Sequence, residues 1–143
     1  STKRHIHFLA KEELFHGIVG LIVKGAGCIP VNRKIHDKNA LESAYNYLKK
    51  DLCIGIFPEG TINRTEDIIM PFKIGAVKMS YQTNAKLVPF TITGEYKLFR
   101  KSIKLEFLEP IEIKKDLEEE NQKFMNIISK KLEKEGRKNV KKR

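Results

Sequence analysis

The chain has 143 residues, with 28 Lys and Arg against 18 Asp and Glu and a net charge of +10. That length supports one packed domain without a disulfide or metal staple, and 41% hydrophobic with 32% charged residues excludes a fibrous or wholly disordered chain. The basic excess allows an anionic partner: a phospholipid surface, a nucleic acid or an acidic protein.

His5 to Leu9 alternates and is apolar enough for a strand. Lys11-Glu12-Glu13 then opens a predicted helix, its acids in the first turn where the helix dipole favours them, and Gly25-Ala26-Gly27 ends it. Within it, Gly17 to Val23 is an uncharged apolar run, far short of the roughly 20 residues that span a bilayer. It reads either as a core-facing helix or as a surface that dips into a membrane interface. Cys28 to Val31 is extended, because Pro30 forbids a helix there. Cys28 and Cys53 are too few for a disulfide framework and are expected as buried free thiols of a reducing compartment.

Asp37 to Asp51 is the clearest helix, with Ala40, Leu41, Ala44, Tyr45 and Leu48 at helical spacing and Asp37 or Asn39 to cap it. Leu52 to Phe57 is an unbroken apolar run, the pattern of a strand buried on both faces in a parallel sheet, and it stops at Pro58-Glu59-Gly60. A polar loop from Thr61 to Asp67 precedes Met70-Pro71-Phe72-Lys73, and a helix is expected over Ile74 to Gln82. Leu87 to Thr93 and Ile103 to Phe107 read as strands joined through a Thr93-Gly94 turn. Beyond Pro110 a charged helix runs from about Leu117 to Glu135. The lysine-rich stretch from Lys130-Lys131 to Arg143 reads as a solvated, fraying helix end or a tail that seeks anions. Strands alternating with helices give an α/β fold with a mixed, largely parallel sheet flanked by helices. The expected organisation is a main domain over 1–113 and a charged helix with a basic tail over 114–143.

Three pieces carry chemistry. Phe57-Pro58-Glu59-Gly60-Thr61 sets a carboxylate just past the end of an apolar strand, where open α/β sheets place their ligands. Gly27-Cys28-Ile29-Pro30-Val31-Asn32-Arg33 delivers an arginine, whose planar fork suits phosphate or carboxylate, to the end of an extended segment. Lys73-Ile74-Gly75 sets a lysine beside the free N–H groups of a helix start. His5 and His7 share a strand face, but the pattern supplies no third ligand and no metal is expected.

Taken in order, Gly27-x-Ile29-Pro30-Val31-x-Arg33, Phe57-Pro58-Glu59-Gly60-Thr61, Phe72-Lys73-x-Gly75-Ala76 and Val88-Pro89 resemble the blocks of the glycerolipid acyltransferases, in particular those acting on 1-acylglycerol-3-phosphate. Ala10 to Phe15 resembles the stretch that precedes the first of these blocks, and the match covers roughly residues 5 to 110. The resemblance implies acyl transfer from a thioester, acyl-CoA or acyl carrier protein, to the free hydroxyl of lysophosphatidic acid, giving phosphatidic acid at the cytoplasmic face of the membrane. It implies no cofactor beyond that co-substrate, and an anionic membrane surface but no nucleic acid as partner. Arg33 and Lys73 would hold the acceptor's phosphate, and Glu59, Gly60 and Thr61 its glycerol.

Two departures from the family pattern stand out. The family's base is a histidine followed five positions later by an aspartate, yet five residues after His5, His7, His16 and His36 stand Ala10, Glu12, Leu21 and Leu41. His7 with Glu12 is the nearest imitation. The pair is therefore expected upstream of Ser1, the 143 residues alone are expected to be inactive, and the opening Ser1-Thr2 in place of Met agrees with a preceding segment. The family commonly has arginine where Ile62 stands, and Arg64 is the nearby substitute. The alternative from another class is a basic membrane-binding or nucleic-acid-binding module without catalysis. The nucleic-acid form requires aromatics interleaved with basic residues, a pattern this chain lacks.

Overall fold

The computed structural model describes residues 4–32, 38–94 and 103–135. The chain forms two compact units, Ser1–Phe57 and Pro58–Arg143.

In the first unit, strand β1 (Ile6–Lys11) lies between β2 (Ile29–Val31) and β3 (Cys53–Gly55), all parallel, with Leu9 opposite Ile29 and His7 opposite Ile54. Parallel neighbours need crossovers, and two helices supply them: α1 (Gly17–Gly25) between β1 and β2, and α2 (Lys38–Lys49) between β2 and β3. The helix expected from Lys11 is two pieces. Glu12–Phe15 is a 3₁₀ turn, His16 is extended, and Gly17 at φ 63 redirects the backbone as α1 begins. The core-facing reading of α1 does not hold among the described residues, since Ile18, Leu21 and Ile22 are 81%, 72% and 68% exposed.

Helix α2 buries Ala40 and Ala44, but Leu41 is exposed, and Asn39 lies inside the helix rather than at its cap. The other cap candidate, Asp37, lies outside the described residues. The Leu52 to Phe57 run also departs from expectation. Only Cys53–Gly55 is strand, and Leu52 and Phe57 are exposed. The reason is position: β3 pairs with β1 alone, at the side of the described sheet, so the run is not enclosed as a central strand would be. Phe57 stacks on Phe8 instead, ring centroids 6.0 Å apart. Cys28 and Cys53 are free thiols, half-buried rather than buried.

The second unit holds α3 (Gly75–Thr83), the antiparallel pair β4 (Phe90–Gly94) and β5 (Ile103–Phe107), and α4 (Leu117–Lys134). Phe90 faces Phe107 and Gly94 faces Ile103, so Gly94 is still paired rather than turning, and the connection over 95–102 lies outside the described residues. Leu87 makes an isolated bridge to Ile111 ahead of β4. Helix α4 is capped by Asp116, whose side chain accepts from Glu119 N at 3.1 Å, and its first turn carries Glu118, Glu119 and Glu120 at the positive end of the dipole. Its buried stripe, Phe124, Ile128 and Leu132, packs against α3 and β4.

Lys131, expected in a solvated helix end, is instead drawn into an ion network. Its Nζ lies 2.5 Å from Glu106 Oε1 and 3.2 Å from Glu135 Oε1, and Lys104 joins both carboxylates. The lysines, Lys104 first, hold the Glu106 carboxyl down from its usual 4.5 to about 2, and the glutamates raise Lys104 and Lys131. The basic residues from 136 onward lie outside the described residues. The result is an α/β fold whose three-stranded sheet is parallel and whose remaining strand pair is antiparallel, as the pattern of elements implied. Among the described residues no helix is long and apolar enough to cross a membrane.

Candidate functional site

The second unit brings Glu59, Gly60, Thr61 and Lys73 together. Past Pro58 the chain turns at Glu59, and Gly60 adopts φ 67, a conformation in which a side chain is strained. Space is a second reason for glycine here. A Cβ at Gly60 would stand 3.0 Å from both Cε and Nζ of Lys73, so the lysine stem crosses directly over the bare backbone.

Two hydrogen bonds clasp the loop to the segment that carries Lys73. Lys73 N donates to Pro58 O at 2.8 Å, and Met70 N donates to Glu59 Oε2 at 2.8 Å. One oxygen of Glu59 is thus engaged by backbone. Lys73 is exposed, and α3 begins two residues later with Ile74 at its cap position and no side-chain cap. A lysine two residues before a helix whose start has no side-chain cap is a pattern that suits an anion. Thr61 is exposed, next to Ile62, which is 75% exposed. Arg64 sits in a turn in which Asn63 Oδ1 accepts from Thr65 N at 2.9 Å and Asn63 Nδ2 donates to Asp67 O at 2.9 Å.

Arg33 lies outside the described residues, but the segment leading to it is well defined in the first unit. His5 Nε2 meets Ala26 O at 2.9 Å and His7 Nδ1 meets Gly27 O at 2.7 Å. A carbonyl only accepts, so each ring nitrogen carries the proton and donates. Gly27 has φ 68, and a Cβ there would stand 2.9 Å from His7 Nδ1, so both the turn and the histidine contacts require glycine. The His7 ring also packs edge-on against Tyr47, centroids 4.7 Å apart. His7 therefore spends its Nδ1 on the turn into β2, not on Glu12. Among the described residues no cluster of three or more His, Cys, Asp or Glu is placed to hold a metal ion.

Sequence patterns missed the contribution of α4. Asn121 Nδ2 donates to Phe72 O at 2.9 Å, and the Phe72 ring packs on Phe124 at 5.1 Å. One signal was available: Asn121 falls three residues before Phe124 and seven before Ile128, a polar residue on an apolar stripe.

Within the second unit, then, a Pro-Glu-Gly loop is clasped to the segment that carries Lys73 into α3, an arrangement whose chemistry suits an anionic ligand. Residues 1–93 match the family described as Acyltransferase, and the chain belongs to that family. It is 35% identical over 111 residues to the 1-acyl-sn-glycerol-3-phosphate acyltransferase of Bacillus subtilis, a match covering 74% of this chain and 54% of that protein. Against the protein of that name from Borreliella burgdorferi it is 37% identical over 98 residues, covering 66% of this chain and 39% of that one. With the human 1-acyl-sn-glycerol-3-phosphate acyltransferase beta it shares 32% over 91 residues, covering 61% and 32%. The chain thus spans about half the length of these relatives or less. No solved structure matches it.

Proposed function

We propose that this chain is the acceptor-binding part of an enzyme that transfers an acyl group from a thioester to lysophosphatidic acid, forming phosphatidic acid for phospholipid synthesis. The observation that carries the proposal is the clasp of Glu59, Gly60 and Lys73 at the uncapped start of α3. Lys73, with Arg33, holds the phosphate of the acceptor. One Glu59 oxygen fixes Met70 N–H, and the other is the acceptor offered to a glycerol hydroxyl, with Thr61 beside it. Relatives named for 1-acyl-sn-glycerol-3-phosphate support that acceptor.

In the reaction the acceptor's hydroxyl oxygen forms a bond to the acyl carbonyl carbon, the carbon–sulfur bond breaks, and the thiol leaves. The hydroxyl proton passes to a base, the His-x-x-x-x-Asp pair expected before Ser1. Anchoring a doubly charged phosphate fixes the position of the hydroxyl at the other end of a short glycerol, which is how these residues contribute to rate. The donor is acyl-CoA or acyl carrier protein, and no cofactor is required. The exposed apolar row of α1, Ile18, Leu21 and Ile22, supports contact with a membrane interface, which we take to be the anionic cytoplasmic face.

The test is acyl transfer to lysophosphatidic acid by the chain preceded by its upstream dyad. Arg33→Ala and Lys73→Ala should each raise the acceptor's KM by roughly tenfold or more, the scale of a charge-assisted contact, while leaving the donor's KM nearly unchanged. No transfer to any lysophospholipid or glycerol phosphate would overturn the substrate assignment, and equal effects on both KM values would overturn the phosphate role.

A further inference from the structure

The Phe72–Lys73 peptide is held at both ends. Its N–H, on Lys73, donates to Pro58 O at 2.8 Å, and its C=O, on Phe72, accepts from Asn121 Nδ2 at 2.9 Å. The peptide unit is planar, so fixing both polar ends fixes the rotation of the plane, and with it the direction in which the Lys73 side chain leaves the backbone. The Phe72 ring, buried against Phe124, secures the preceding residue from the same helix that carries Asn121. Lys73 then crosses Gly60 at the closest approach a missing Cβ allows.

We infer that Asn121 of α4 is a positioning residue for Lys73: together with Pro58 it sets the peptide plane that aims the ammonium across Gly60. The residue lies beyond the 1–93 segment that matches the family. Its other half points the same way, because Asn121 Oδ1 is buried with no hydrogen-bond partner among the described residues. Among the described residues the one hydrogen bond of this side chain is the one its amide donates to Phe72 O, so the donor is the half with a structural partner. Removing that donor leaves the Phe72 carbonyl unheld and frees the plane to rotate. The inference deepens the proposed function, since it rests on Lys73 meeting the acceptor's phosphate.

The experiment labels lysine side chains with ¹³C in the 143-residue chain and assigns the Lys73 Cε signal through Lys73→Arg. Two variants remove the donor: Asn121→Leu, which fills similar space, and Asn121→Asp, which is isosteric and cannot donate when ionised. In both, the Lys73 signal should shift as the side chain leaves its place over Gly60, while Lys78 and Lys86 stay in place. Gly60→Ala, which displaces Lys73 directly, should move the same signal with Asn121 intact. The affinity for glycerol 3-phosphate, the probe, should fall roughly two- to tenfold in the Asn121 variants, the change expected for one neutral hydrogen bond. A Lys73 signal that stays unchanged in a folded Asn121 variant would overturn the inference. A signal that moves while glycerol 3-phosphate affinity stays constant would uphold the positioning role and overturn the phosphate role of Lys73 instead.

Discussion

Helix α1 has one charged residue in nine, and α4 has eight in eighteen, yet α4 is the better buried of the two. In α4 the apolar residues Phe124, Ile128 and Leu132 recur on one stripe, and the helix meets α3 and β4; Glu120 at the head of that stripe is buried as well and is paired with Lys123, while most of the other charged residues are exposed. In α1 the row of Ile18, Leu21 and Ile22 is exposed to solvent. Burial follows from pattern and partner rather than from apolar content, so high hydrophobicity alone predicts neither a core position nor stability. The same difference separates their work: α4 holds the Lys73 segment in place, and α1 presents a surface.

The largest effect that could break this contrast comes from single truncations. Phe124→Ala removes a buried ring from the Phe72 contact and should cost about 3–5 kcal/mol, whereas Leu21→Ser in α1 should stay within about 0.5 kcal/mol, both read by denaturant unfolding. Comparable losses at the two positions would erase the distinction between the helices.

A smaller effect lies in acid, at the far end of α4. Because Glu106 has its carboxyl lowered from 4.5 to about 2 in the folded state, the contribution of its ion network is present above pH 4.5 and is lost as the pH falls from there toward 2. Glu106→Gln should flatten the acid limb of the unfolding profile relative to the parent chain while changing little of α1. An acid limb identical in the two proteins would show that the contacts of Lys104 and Lys131 with Glu106 do not couple α4 to stability.

Where the sequence was legible follows the same rule. Helices α3 and α4 could be placed within a residue or so, α4 because Pro110 breaks the chain before it and Asp116 before three glutamates is a local signal of a helix start. The helix through Phe15 and Gly17 was misread as continuous, because nothing local reveals that Gly17 takes a positive φ. The run at Leu52 to Phe57 was over-assigned, because apolar content cannot tell a strand paired on one side from one enclosed on both. At the candidate site, the spacing of Glu59, Gly60 and Lys73 could be read from ordered blocks, but not that the lysine stem occupies the space a Gly60 side chain would need. Asn121 was hidden for a simpler reason: its partner carbonyl is 49 residues away, and no local pattern encodes a contact of that range.

The most direct measurement is the binding of short-chain lysophosphatidic acid, below its micelle concentration, against the corresponding monoacylglycerol, which has the same chain and glycerol but no phosphate. The account predicts that the chain prefers lysophosphatidic acid by on the order of tenfold or more, and that Lys73→Ala removes most of that preference while leaving monoacylglycerol binding unchanged. Equal affinity for the two lipids, or a preference that survives in Lys73→Ala, would contradict it.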